Sequence, residues 1–321
     1  MRKIRKGSAA VLVLVLALST VLISKVQAAI GIETDKECSL TFEVDGEYEE
    51  LKELDIPVLL YQVADVKEDG TYVEHEGYEG LDLGSISSET TAEEWEEKAA
   101  KAVAVIDENK PEATAEVTIA NGAGAAAELT TGMYLVYAQK VESPTYEYNF
   151  TPYLISLPNN YYKVNEDDTW VYEVETGLKT EQKDRFGDLV IDKTLTSYNA
   201  TLGGATFVFQ VEAFKEGESV YSNAHSLVFD GAGTKSLTIP NIPAGANVTV
   251  TETYSGSSYE ATTAPEQTTV IVAEGEEGNP AHVAFTNEYN KQLNGGSSIV
   301  NKFEYNDGDW QHRQLTDSTQ E

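Results

Sequence analysis

Past the first thirty residues, apolar and polar residues alternate with a period of two along most of this chain, as in strands that put one face in a core. CSLTFEV places Cys38, Leu40, Phe42 and Val44 on one face; PVLLYQVADV continues as a strand, and GMYLVYAQ and FTPYLISLP follow. The long exception covers residues 91–109. Thr91 and Glu94 form a capping box, Trp95, Ala99, Ala102 and Ile106 recur at helical spacing, and Pro111 stops the run. The Trp95 stripe reads as core packing. A mainly β chain with one inserted helix is therefore expected.

In the last third, three polar residues fall where this alternation demands apolar ones. In LVIDKTL the side chains of Leu189, Ile191, Lys193 and Leu195 share a face; in VTVTETY so do Val248, Val250, Glu252 and Tyr254; in HVAFTNEY so do Val283, Phe285, Asn287 and Tyr289. Each polar member is expected to face the core. An amine, a carboxyl and a carboxamide are each costly to bury alone, yet together they are the reactants of a Lys–Asn isopeptide bond. Burial favours the neutral, nucleophilic amine and the protonated acid, which can polarise the Asn carbonyl while ammonia leaves. In the loop-entropy model, a closure of about 100 residues is worth on the order of 4 to 5 kcal/mol. The alternative leaves three unrelated residues, with Lys193 snorkelling, Glu252 on an exposed face and Asn287 in a turn.

The N-terminus bears on where such a chain works. Arg2, Lys3, Arg5 and Lys6 precede an apolar run, and Val26-Gln27-Ala28 supplies small residues before a cut, so residues 1–28 read as a secretory signal peptide rather than a membrane anchor. Their removal takes away five basic residues and shifts the formal net charge from −32 to −37. So acidic a surface argues against nucleic acid and anionic lipid as partners, and no membrane insertion is expected after cleavage. Cys38 is the sole cysteine, which rules out an internal disulfide.

Catalytic and metal signatures are missing. His75, His225, His282 and His312 show no HExxH or short metal-ligand spacing, and no GxSxG elbow occurs. Asn165-Glu166-Asp167-Asp168 lacks the ligand alternation and glycine of an EF-hand. A glycosidase needs two carboxylates at a set distance, which sequence spacing does not reveal. No cofactor, no metal and no enzyme activity beyond single-turnover self-crosslinking are expected.

Residues 187–290 resemble the isopeptide-linkage domains of Gram-positive pilins and surface adhesins, the CnaB-like and streptococcal major-pilin group. The likeness rests on DLVIDKTL with its first-strand Lys193, LTIPNIPAGANVTVTETY with Glu252, and VAFTNEY with Asn287. It implies a β-sandwich with the Lys193–Asn287 bond formed and Glu252 as promoting acid. The later segment GGSSIVNKFEY makes Asn301 the runner-up acceptor.

Residues 36–182 resemble the N-terminal domain of backbone pilins through LTTGMYLVYA, TPYLISLP and WVYEVETGLK. Where family members carry a second Lys, acid and Asn, this chain has Val44, Ala138 and Thr180, so the first domain is expected to lack a bond. Loss of all three partners together leaves no orphaned polar group. Polymerising relatives carry a tryptophan-led last strand ending in a Tyr-Pro-Lys-Asn stretch whose lysine a sortase joins to the next subunit. Here Trp170, Tyr172 and Val174 precede Gly177-Leu178-Lys179-Thr180, so Lys179 sits at the linking place with other neighbours. The charged run KTEQKDR, residues 179–185, reads as the domain boundary.

The expected organisation is a signal peptide (1–28), an N-terminal pilin-like β domain without the triad (29–182), a C-terminal isopeptide-linkage sandwich (183–305) and a polar tail (306–321), two tandem Ig-like or CnaB-type sandwiches in all. The chain ends DGDWQHRQLTDSTQE without an LPxTG-type signal, leaving noncovalent attachment, entry into a pilus through a lysine, release, or a longer reading frame. Function is read as a secreted or cell-surface structural subunit, pilin-like or adhesin stalk, with other pilin subunits or a sortase as partners. The alternative is a secreted module that binds a host or matrix ligand, with the C-terminal sandwich as spacer.

Overall fold

The computed structural model describes residues 31–87, 89–160, 169–292, 299–306 and 309–316. The expected leader, residues 1–28, and the acidic run at 165–168 lie outside them. The chain divides into two units between Asp184 and Arg185.

The first unit is built from β1 (Cys38–Glu43), β2 (Ile56–Val66), β3 (Tyr72–Glu74), α1 (Ala92–Asn109), β4 (Ala115–Ile119), β5 (Ala123–Leu129), β6 (Gly132–Ala138), β7 (Val141–Glu142), β8 (Tyr146–Phe150), β9 (Tyr153–Leu157), β10 (Glu173–Gly177) and β11 (Thr180–Asp184). A sheet of order β3-β2-β6-β9, with β4 also on β2, faces a β10-β1-β5 sheet across a core that includes Leu40, Phe42, Leu60, Tyr134 and Val174. Its other face is covered by α1, whose Trp95, Ala99, Ala102 and Ile106 pack with Val63, Met133 and Leu135. Burial on both faces explains why β6 reads GMYLVYA, nearly continuous in apolar residues, where a half-buried strand would alternate. Both capping-box bonds are present at the start of α1, Thr91 Oγ1 accepting from Glu94 N and Glu94 Oε2 from Thr91 N.

The charged run read as the domain boundary is a strand for most of its length. β11 pairs antiparallel with β8, Glu181 opposite Asn149 and Lys183 opposite Glu147, with its side chains mostly exposed. Backbone ladders need no apolar face, so a strand of this kind leaves no hydrophobic period to read.

The second unit comprises β12 (Phe186–Leu195), β13 (Ala205–Lys215), β14 (Glu218–Phe229), β15 (Gly233–Pro243), β16 (Asn247–Tyr254), β17 (Tyr259–Ala261), β18 (Glu266–Val270) and β19 (Ala281–Tyr289). Two four-stranded sheets, β15-β12-β19-β17 and β14-β13-β16-β18, form a sandwich. Leu189 and Ile191, Phe207 and Phe209, Val248 and Val250, and Val283 and Phe285 fill the space between them. Gly187 lets a loop close on the start of β12: a Cβ there would lie 1.8 Å from the Val272 carbonyl oxygen. A hairpin of β20 (Ile299–Asn306) and β21 (Asp309–Thr316) forms a separate two-stranded sheet.

One residue departs from the expected parity. Tyr254 is 48% exposed, because β16 bulges at Thr253: Glu252 pairs with Phe209, and Tyr254 pairs with the next residue, Val208. One extra residue flips every side chain beyond it to the opposite face.

Candidate functional site

Lys193, Glu252 and Asn287 meet in the core of the second unit. β12 and β19 run parallel and adjacent, Lys193 opposite Phe285 and Leu195 opposite Asn287, so the lysine and asparagine are two residues out of step on neighbouring strands. Glu252 comes from β16 in the facing sheet. Lys193 and Asn287 are fully buried and Glu252 is 8% exposed. The backbone holds the partners in place: Thr196 N donates to the Asn287 carbonyl (3.0 Å), and Glu252 N donates to the Pro265 carbonyl (2.7 Å).

Lys193 Nζ donates to Glu252 Oε1 and to Asn287 Oδ1. Desolvation pushes the Lys193 amine below its ordinary value, and the Glu252 carboxyl beside it opposes that shift. Among the described residues, Glu252 Oε2 and Asn287 Nδ2 have no hydrogen-bond partner. A buried polar atom left so costs about 1 to 3 kcal/mol. The rings of Phe207 and Phe209 flank the amine at 4.4 and 5.7 Å. These two aromatics were not singled out from the sequence, although ATFVFQV puts both on the inward parity of β13. The arrangement sets a nucleophile against a carboxamide, with an acid beside both and water excluded.

The other expected positions lie elsewhere. Asn301 is on β20, paired with Gln314 of β21, and its side chain lies outside the described residues, as do those of Trp310 and His312. Val44 is half-buried, Ala138 is buried, and Thr180 is half-buried opposite Phe150. Lys179 lies between β10 and β11 with its side chain 19% exposed, its amine 3.6 Å from Glu96 and 6.0 Å from the Tyr153 ring. It is thus largely covered.

His75 bonds Asp65, His282 bonds Asp192 and His225 stacks on Tyr221, three separate places. Burial pushes the Cys38 thiol up to about 11, which leaves it unreactive. No helix of the described residues is long and apolar enough to cross a membrane.

A family described as a domain of unknown function, DUF5979, matches residues 189–290, the stretch that holds all three site residues. No curated protein matches the chain. Among solved structures, the chain is similar to the full-length major pilin SpaD from Corynebacterium diphtheriae, at 12% identity, covering 82% of this chain and 100% of that one with a TM-score of 0.30. It is similar to GBS52, the minor pilin of Streptococcus agalactiae, at 15% identity, 78% and 96% coverage and a TM-score of 0.22. The shaft pilin SpaA from Lactobacillus rhamnosus GG gives 13% identity, 80% and 99% coverage and a TM-score of 0.28. The likeness is to Gram-positive pilins; at these values it assigns no chemistry, which comes from the residues of the site.

Proposed function

We propose that this chain is a structural subunit of a Gram-positive cell surface, pilin-like, whose second unit is closed by an intramolecular isopeptide bond between Lys193 and Asn287. The observation that carries this reading is the contact of one buried amine with a carboxyl and a carboxamide whose remaining polar atoms are unpartnered. In the reaction Lys193 Nζ attacks Asn287 Cγ. An Nζ–Cγ bond forms, the Cγ–Nδ2 bond breaks, and a proton from the amine passes through Glu252 to Nδ2, which leaves as ammonia. The orphaned Nδ2 is thereby removed from the core and the attacking amine becomes a neutral amide. Glu252 is regenerated, but each chain reacts once.

The motif stretches around Lys193, Glu252 and Asn287 support the surface-subunit part of the proposal, and an acidic chain with one cysteine suits an exported protein that needs a covalent tie other than a disulfide. Intact mass of the purified chain should fall short of the sequence mass by one ammonia, and Glu252→Ala should return the full mass. The same full mass in the unaltered chain would remove the bond from the account. Linkage through Lys179 belongs to this reading: a ladder of high-mass species on cell-wall blots that disappears in Lys179→Ala supports assembly into a pilus, and a single band opposes it.

A further inference from the structure

The outer strand β14 is a sheet edge whose middle lacks the usual protection. Its sole ladder partner among the described residues is β13. Natural edge strands are blunted by charge, proline or shortness, because their free N–H and C=O groups pair readily with another chain. β14 spans 12 residues, and between Ser219 and Phe229 it carries neither a charged residue nor a proline, in a chain of net charge −32. Val220 and Val228 on this strand are 38% and 53% exposed.

Which groups face the free edge can be read from two local bonds. Ala224 N donates to its neighbour's Asn223 Oδ1 at 2.9 Å, and Val228 O accepts from Lys235 Nζ at 2.6 Å, so both backbone groups point away from β13. Antiparallel ladders alternate, so Ser222, Ala224 and Ser226 present their backbone to the edge. A bulge opposite Ala213 and Phe214 bends the strand at Val220, and Lys235 guards Val228, so the clean pairing segment is residues 221–227.

The sequence of that segment reads almost the same from both ends about Ala224. Turned on itself antiparallel, with Ala224 opposite Ala224, it sets Ser222 against Ser226, Asn223 against His225 and Tyr221 against Leu227, while Val220 meets Val228 at the flanks. Small meets small, polar meets polar and apolar meets apolar. The parity also fits, since every edge-facing residue meets another edge-facing one. We propose that β14 pairs with β14 of a second copy of this chain about a two-fold axis at Ala224, joining two four-stranded sheets into one of eight. Isologous pairing of this kind needs a self-complementary patch, which an unrelated partner strand would not require. Three edge-facing pairs exchange about six ladder bonds. A contact of this size falls under about 1,200 Å², in the weak class, so the dimer is concentration-dependent. The surrounding negative charge opposes it and salt strengthens it.

Sedimentation equilibrium of the full chain, across protein concentration and salt, tests this. Reversible dimerisation that tightens with salt is expected. S222K/S226K places lysine against lysine at both symmetric positions and should weaken the dimer by about tenfold or more, whereas S222K/S226E opposes unlike charges in the same register and should restore it. Under oxidation A224C should give a disulfide-linked dimer, because residues facing each other in a hydrogen-bonded pair have Cα atoms about 5.5 Å apart, while V220C alone should not. A chain monomeric at every concentration overturns the proposal. So does a dimer that S222K/S226K leaves unchanged, or one that S222K/S226E weakens equally.

Discussion

Lys193 lies against both Glu252 and Asn287, and in the proposed reaction its proton leaves through the acid, which governs how the reaction responds to mutation. Removing the acid in Glu252→Ala should slow it by about 10²–10⁴-fold, the usual worth of a positioned proton carrier, as followed by mass against time. In Asn287→Ala the bond cannot form and Lys193 stays an amine whose value burial holds below the ordinary 10.5. The unfolded chain then binds that proton more readily than the folded one. Stability of this variant should therefore rise with pH between the lowered value and 10.5, as read by urea unfolding, and the crosslinked chain should lack that slope. This trio was legible in the sequence because three polar residues sat on the inward parity of three strands. Tyr254 was misread by the same rule, since a bulge at Thr253 leaves no mark on the apolar pattern.

At the level of elements, legibility followed local chemistry. Helix α1 was readable to within a residue, because its capping box and its Trp95 stripe are short-range signals. Thr91→Ala removes one of the two box bonds and should cost the first unit about 1 kcal/mol in urea unfolding. Strand β11, inside the run read as the domain boundary, left no strand signal because its stability comes from backbone pairing with β8 and polar cross-strand neighbours, none of which carries a hydrophobic period. The aromatic flank of the site escaped for another reason: Phe207 and Phe209 look like any core residues until β13 is laid against Lys193. Sheet order is likewise invisible locally, as β12 lies beside β19 although Lys193 and Asn287 are 94 positions apart in sequence.

For the molecule as a whole, two units with different chemistry should unfold differently. The first carries Val44, Ala138 and Thr180 where resemblance to bonded domains calls for reactive groups, and packs around two apolar clusters. The second, by this account, is closed from its first strand to a late one, a tie worth on the order of 4 to 5 kcal/mol by loop entropy. Calorimetry of the full chain should show two transitions, and Asn287→Ala should lower one of them by on the order of 15–30 °C while leaving the other in place. The most direct test of the bond itself is peptide mapping. Trypsin should spare Lys193 and release a branched peptide in which residues 186–215 are joined to residues 236–291, lighter than their sum by one ammonia. Recovery of residues 186–193, 194–215 and 236–291 as separate peptides, with cleavage after Lys193, would contradict the account.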